Sequence, residues 1–122
     1  MPDRPRKRRL EDHLPLSVPV FQILLSLSDR QLHGYAIIQD IRDRTEGEVE
    51  LTASTLYAAI KRLLDTGLID ELAAPPDPAD DDPRRRYYRI TALGLGVARL
   101  EAARLDRALR MARQKRLAPK KA

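Results

Sequence analysis

Two stretches of the 122-residue chain carry side chains that could do chemistry. "DDDPRRRYYRI", residues 80 to 90, sets three carboxylates against three guanidinium groups across one proline, with two tyrosines and an apolar residue close behind. "LTASTLYAAIKRLLDTG", residues 51 to 67, interleaves hydroxyls, alanines and cations. Guanidinium and ammonium groups hold phosphate oxygens, and hydroxyls beside small residues hydrogen-bond at close range. That is the chemistry of gripping an anion, not of breaking a bond. Catalytic sets are missing. The absence of cysteine excludes thiol chemistry, disulfides and Cys-ligated zinc. His13 and His33 are far apart and lack a spaced carboxylate cluster, so no metal site is expected. There is no Ser/His/Asp set, and Gly94 and Gly96 have no phosphate-loop context. Neither an enzymatic activity nor a cofactor is expected.

The second stretch needs a helix to position it. Thr52 is a candidate N-cap, and Gly67 suits the residue just past the C-terminus. At about 100° per residue, Leu56, Ile60, Leu63 and Leu64 share one side with Ala53. The opposite side carries Ser54, Ala58, Lys61 and Asp65, with Tyr57 on one edge and Thr55 and Arg62 on the other. A face of Ser, Ala and Lys lets a backbone approach closely while offering donors, as a helix must in a DNA major groove about 12 Å wide. Taken alone, it is also what a plain solvated face looks like.

Upstream, Val20, Phe21, Ile23, Leu24, Leu25 and Leu27 make a helix from Leu16 that is apolar almost all round and so buried on more than one side. "SDRQLHG" breaks it. Tyr35, Ile37, Ile38 and Ile41 mark a second helix over about residues 34–44, ended by Gly47. After Gly67 the period changes to two: "LIDELAA" and "RRRYYRI" read as strands, with "PPDPADDDP" as the loop between them. In the return strand Arg86, Tyr88 and Ile90 point one way, and Arg85, Tyr87 and Arg89 the other. The fold class expected is mainly α with a small β-hairpin wing, a winged helix-turn-helix over residues 14–90. Its recognition helix and wing are neighbours, which favours the groove-reading alternative and places Arg84, Arg85 and Arg86, together with Lys61 and Arg62 of the helix, for phosphates.

A last helix, capped by Thr91, is expected over residues 91–113. Leu93, Val97 and Leu100 form one stripe, expected to pack back on the domain. Leu95, Ala98, Ala102, Leu105, Leu109 and Ala112 form another, at spacings of 3, 4, 3, 4 and 3. That is a heptad seam, and its natural cover is a second copy of the chain; one wide amphipathic face is the alternative. Residues 1–13 read as a disordered basic arm and 114–122 as a basic disordered tail. The length suits one compact domain and is too short for two. Lys and Arg number 23 against 18 Asp and Glu, a net charge of +5 gathered in patches. Such patches fit a nucleic-acid partner and equally an ordinary basic surface. The basic start before "LPLSVPVFQILLSLS" has the layout of a secretory signal, but Glu11, Asp12 and two prolines argue against one, and the run is too short to span a bilayer. A cytoplasmic location and no membrane partner are expected.

"LHGYAIIQDI", "LTASTLYAAIKRLLDTGLID" and "RRRYYRITALG", in this order and spacing, resemble the PadR family of transcriptional regulators over roughly residues 16–112. The resemblance implies a winged-helix repressor of the branch with a short C-terminal region, dimeric through its last helix, which binds double-stranded DNA at an imperfect inverted repeat. It puts Tyr35 near the DNA backbone, Ser54, Thr55, Tyr57 and Lys61 on the recognition helix, and Arg84, Arg85 and Arg86 at the base of the wing. It also implies a possible small-molecule effector. With no tryptophan and one phenylalanine, an aliphatic surface between the first and last helices is the expected place for it. Two features depart from the family. Ala53, Ser54 and Ala58 stand where Pro-Gly and Pro are common, and the wing tip is long and acidic, with Asp77, Asp80, Asp81 and Asp82. Acids beside phosphate are repelled, so the tip is expected to curl away or to pair with the arginines when DNA is absent. The rival is a winged helix used for protein interaction or structured RNA, which would not need small donors on the third helix together with wing arginines.

Overall fold

The computed structural model describes residues 9–80 and 82–119. A 3-10 turn at Leu10–His13 leads into helix α1, Val18–Leu27. A two-residue strand β1, Leu32–His33, runs directly into α2, Gly34–Arg44, and α3 spans Ala53–Asp65. Strands β2, Ile69–Glu71, and β3, Tyr87–Ile90, form the wing, and α4 covers Ala92–Gln114. The fold is mainly helical with a small antiparallel sheet, as the patterning predicts. The core is one cluster in which α1 contributes Ile23, Leu24 and Leu27, α2 Ile37 and Ile41, and α3 Leu56, Ile60 and Leu63. Tyr88 of β3 and Val97 of α4 close it.

Helix starts follow side-chain oxygens. Ser17 Oγ accepts from the Val20 amide at 3.3 Å, with Pro19 in the first turn where no donor is needed. The helix therefore begins at Val18 and not at Leu16, whose amide donates instead to Glu101 Oε2 at 2.9 Å. Thr52 accepts from the Thr55 amide to start α3, and Gly67 ends the following turn at φ +76°, which a side chain would strain. Thr91 does the same for α4 through the Gly94 amide, while its hydroxyl donates to the Gly67 carbonyl at 2.7 Å.

The sheet differs from a plain hairpin. Its order is β1-β3-β2, with Leu32 opposite Tyr88 and Ile69 opposite Ile90. "SDRQLHG", expected only as a break, supplies the outer strand; two residues are too few to show an alternation. β3 is shorter than "RRRYYRI". Arg84 to Arg86 precede it, Arg84 in a turn that Arg85 closes, because the Arg84 amide donates to Asp82 Oδ1 at 3.0 Å and the Arg85 amide to the Asp82 carbonyl at 3.2 Å. Those donors are spent on a turn and are lost to the ladder.

Both expected disordered ends are partly built. Leu10 lies against Gly96 of α4, where an added Cβ would come within 3.3 Å of it, so the described end of the arm is folded. The tail curls back on α4, with the Leu117 amide donating to the Ala112 carbonyl at 2.8 Å and Arg113 to the Pro119 carbonyl at 3.0 Å. Residues 1–8 of the arm and 120–122 of the tail lie outside the described residues. Along α4, Val97 is fully buried and Leu100 half-buried, but Leu93 is exposed beside Gly67. Gly94 meets the Leu68 carbonyl so closely that no side chain fits. Glu101 is buried and accepts from two of the Arg104 guanidinium nitrogens, Nε at 2.5 Å and Nη2 at 3.1 Å, besides the Leu16 amide. The hydrogen bond from Arg104, against the cost of burial and with help from Leu16, holds its carboxyl below the usual range.

Candidate nucleic-acid interface

The sequence of α3 splits it cleanly. Leu56, Ala59, Ile60 and Leu63 are buried, while Ser54, Thr55, Tyr57, Ala58, Lys61, Arg62 and Asp65 are exposed. Thr52 does more than cap. Its Oγ1 accepts from the Thr55 amide, donates to Thr55 Oγ1 at 3.0 Å and sits 3.2 Å from Ser54 Oγ. Three hydroxyls are thus grouped at the start of the helix, in orientations set before any partner arrives. The capping pattern alone did not reveal that Thr52 also holds these two hydroxyls. Lys61 and Arg62 make no ion pair among the described residues.

A second group surrounds a groove of about 330 Å³ between the wing and the start of α2. Tyr35, Tyr57, Arg84, Arg85 and Arg86 meet there, with Asp82 among the lining residues. Tyr35 is 65% exposed, and its hydroxyl accepts from Gln39 at 3.1 Å. The Tyr57 ring lies over Gly34, so close that a Cβ there would sit 2.6 Å from its hydroxyl. His33 fixes the start of α2 by accepting from the Ala36 amide through Nδ1 at 3.2 Å. Its ring meets Tyr87 edge-on at 5.2 Å. Burial lowers the His33 pKa, Arg85 lowers it further, and Asp80 and Asp82 oppose that.

The wing arginines are not free. Arg84 pairs with Asp82 at 3.3 Å, Arg85 with Asp80 at 3.3 Å and with Asp82 at 3.9 Å, Arg86 with Glu71 at 3.1 Å, and Arg89 with Asp70 at 3.6 Å. Tyr87 donates its hydroxyl to Asp80. Of the two fates expected for the acidic tip, pairing is the one found for Asp80 and Asp82; Asp81 lies outside the described residues. The side chain and amide of Arg84 together hold the Asp82 carboxyl below its ordinary range.

The predicted DNA-facing residues therefore fall into three groups. Tyr35, Tyr57 and Arg84 to Arg86 share the groove, while Ser54, Thr55 and Lys61 stand outside it on the exposed face of α3. Arg62 turns the other way and lines a cavity of about 170 Å³ with His13, Ser17, Val20, Leu63 and Thr66. The expected seam on α4 is divided too. Ala98 packs on this chain's own core and Leu95 is half-buried, whereas Ala102, Leu105 and Leu109 are exposed. Among the described residues no cluster of His, Cys, Asp and Glu could hold a metal, and no helix is long and apolar enough to cross a membrane.

A transcriptional regulator from Clostridium thermocellum has a similar structure, with a TM-score of 0.67 and 26% identity over 79% of this chain and 87% of that one. A PadR family transcription regulator from Clostridium difficile R20291 matches with a TM-score of 0.69 over 80% of this chain and 97% of that one; at 23% identity this speaks for the fold. An uncharacterised protein of Lysinibacillus sphaericus is 36% identical over 72 residues, which is 59% of this chain and spans 63% of the relative's length. The model of the PadR-like transcriptional regulator family matches residues 23–101, from the middle of α1 to the buried Glu101 of α4. The capped α3, the three-stranded sheet and this match over more than half the chain make the protein a member of the PadR-like family of transcriptional regulators, which are not enzymes.

Proposed function

We propose that the protein is a homodimeric repressor that binds an inverted-repeat operator in double-stranded DNA. The observation that carries this reading is the outward face of α3, where three hydroxyls grouped by Thr52 stand about two helical turns ahead of a lysine that makes no ion pair among the described residues. Hydroxyls at a helix start suit base edges or register-fixing phosphates, and Lys61 supplies sequence-independent attraction. Tyr35 and the wing arginines flank that face and suit the sugar-phosphate backbone. The second copy is proposed to join along α4 through Ala102, Leu105 and Leu109, with Leu95 and Ala112 at the ends of the seam. Leu105 and Leu109 are 42% and 39% exposed, more than large aliphatic side chains on a lone helix face favour. Two copies would present their α3 helices about one DNA turn apart, about 34 Å. Repression then follows from occupying a promoter in the cytoplasm.

A small-molecule effector has its best opening away from the contact between α1 and α4, where the two helices pack directly. The cavity beside Arg62 joins the N-terminal turn to the recognition helix, so occupancy there would reach α3.

Fluorescence anisotropy on the chain's own upstream DNA, against scrambled duplex and across a salt series, tests the central reading. Preferential binding that saturates at one dimer per site and weakens steeply with salt is expected. Equal, weak binding to both duplexes would move the function to a protein or RNA partner.

A further inference from the structure

The acidic wing tip is the feature that operator binding does not use. Asp82 lies in the groove lined by Tyr35, Tyr57 and the three wing arginines, where a backbone phosphate would have to sit. Its carboxylate takes the Arg84 guanidinium through both Nε and Nη2, at 3.3 and 3.4 Å, and also lies near Arg85. Asp80 takes Arg85 Nη1 and the Tyr87 hydroxyl. Tyr87 in turn rests edge-on against His33, the cap of α2. Asp80 and Asp82 are thus tied to the wing's own side chains and do not hang from the loop. A carboxylate and a phosphate present the same kind of oxygen pair to a guanidinium.

We infer that Asp80 and Asp82 act as an intramolecular stand-in for phosphate, occupying Arg84 and Arg85 so that DNA of any sequence must displace them to engage the wing. The inference rests on the DNA-binding reading above. Displacement exchanges one ion pair for another, and the released carboxylates stay close to the backbone they repel. Affinity for all duplexes falls, and the wing neutralises fewer phosphates net than its arginine count suggests. Acids as well as bases therefore set how strongly this protein holds non-operator DNA.

The test compares the full chain with the D80N/D82N variant by anisotropy on a random-sequence duplex over a salt series. D82N alone serves as the second variant, since its amide oxygen can still accept from the Arg84 amide and keep the turn. Roughly three- to tenfold tighter binding at about 0.1 M salt is expected, with a log-log salt slope steeper by about 1. The same substitutions are then made in an R84A/R85A background, where only the smaller gain from relieved repulsion should remain. A gain of undiminished size there would show a plain net-charge effect and overturn the inference. No gain in either variant, while the unsubstituted chain binds duplex, overturns the inference and leaves the DNA-binding reading standing. Failure of every form to bind duplex removes that reading and the inference with it.

Discussion

Helix α3 and the wing both present positive charge, but in opposite ways. Lys61 projects from a regular helix whose far side is locked in the core, and no carboxylate meets it among the described residues. Arg84, Arg85, Arg86 and Arg89 stand on short, exposed segments, and each is already paired with an acid. Exposed pairs of this kind stabilise a fold by about 1 kcal/mol or less, so folding does not explain four of them. The difference teaches that charge count and charge availability are separate quantities. The helix offers few charges that are ready, and the wing offers many that are held back.

The comparison breaks most severely at the helix platform. Leu56→Ala removes a fully buried side chain beneath the exposed face and should cost about 2–5 kcal/mol of stability. A urea midpoint well below that of the unsubstituted chain is the expected result. Next comes Thr52→Ala, which loses the cap of α3, about 1 kcal/mol, and frees Ser54 and Thr55 to reorient. Operator preference should relax more than overall affinity, measured as the ratio of specific to scrambled binding. Availability is read by pairing Lys61→Ala with Arg86→Ala. Loss of the unpaired lysine should reduce the salt slope by about 1 for every sequence, and loss of the arginine held by Glu71 should change it less.

The smallest expected effect lies at the joint between the two regions. His33 must be neutral at Nδ1 to accept from Ala36, and burial with Arg85 nearby lowers its pKa below the ordinary 6.5. Its contribution is therefore complete above pH 6.5 and is lost as pH falls through the lowered folded value. Asp80 and Asp82 oppose the shift and Tyr87 faces the ring. A lower protection factor at the Ala36 amide under mild acid, with protection of the α3 amides unchanged, is the outcome to look for.

Helix α3 was legible in the sequence because cap, period and terminating glycine all agree over the same residues. The same holds for Thr91 and the length of α4. Strand β1 was not, since Leu32 and His33 carry no alternation and pair only because β3 passes beside them. Reading "RRRYYRI" as one strand failed for a local reason: Asp82 captures two amides that period-two patterning assigns to the ladder. Glu101 was invisible as a buried group, because an acid on a helix beside Arg104 looks like a surface pair until Leu16 is folded over it. The division of the α4 seam was hidden for a related reason. The spacing marks an apolar stripe but not which stretch of it the chain's own core consumes at Ala98.

Gly94 does more than let α4 pack closely. With only a hydrogen where a side chain would stand, α4 rests on the Leu68 carbonyl at the foot of the wing, backbone against backbone. Such a bearing has no rotamers and cannot yield. If two copies join along α4, the reach from one recognition helix to the other is measured in main-chain geometry. The protein would then act as a caliper with a fixed jaw, accepting half-sites at one separation and refusing those a base pair nearer or farther.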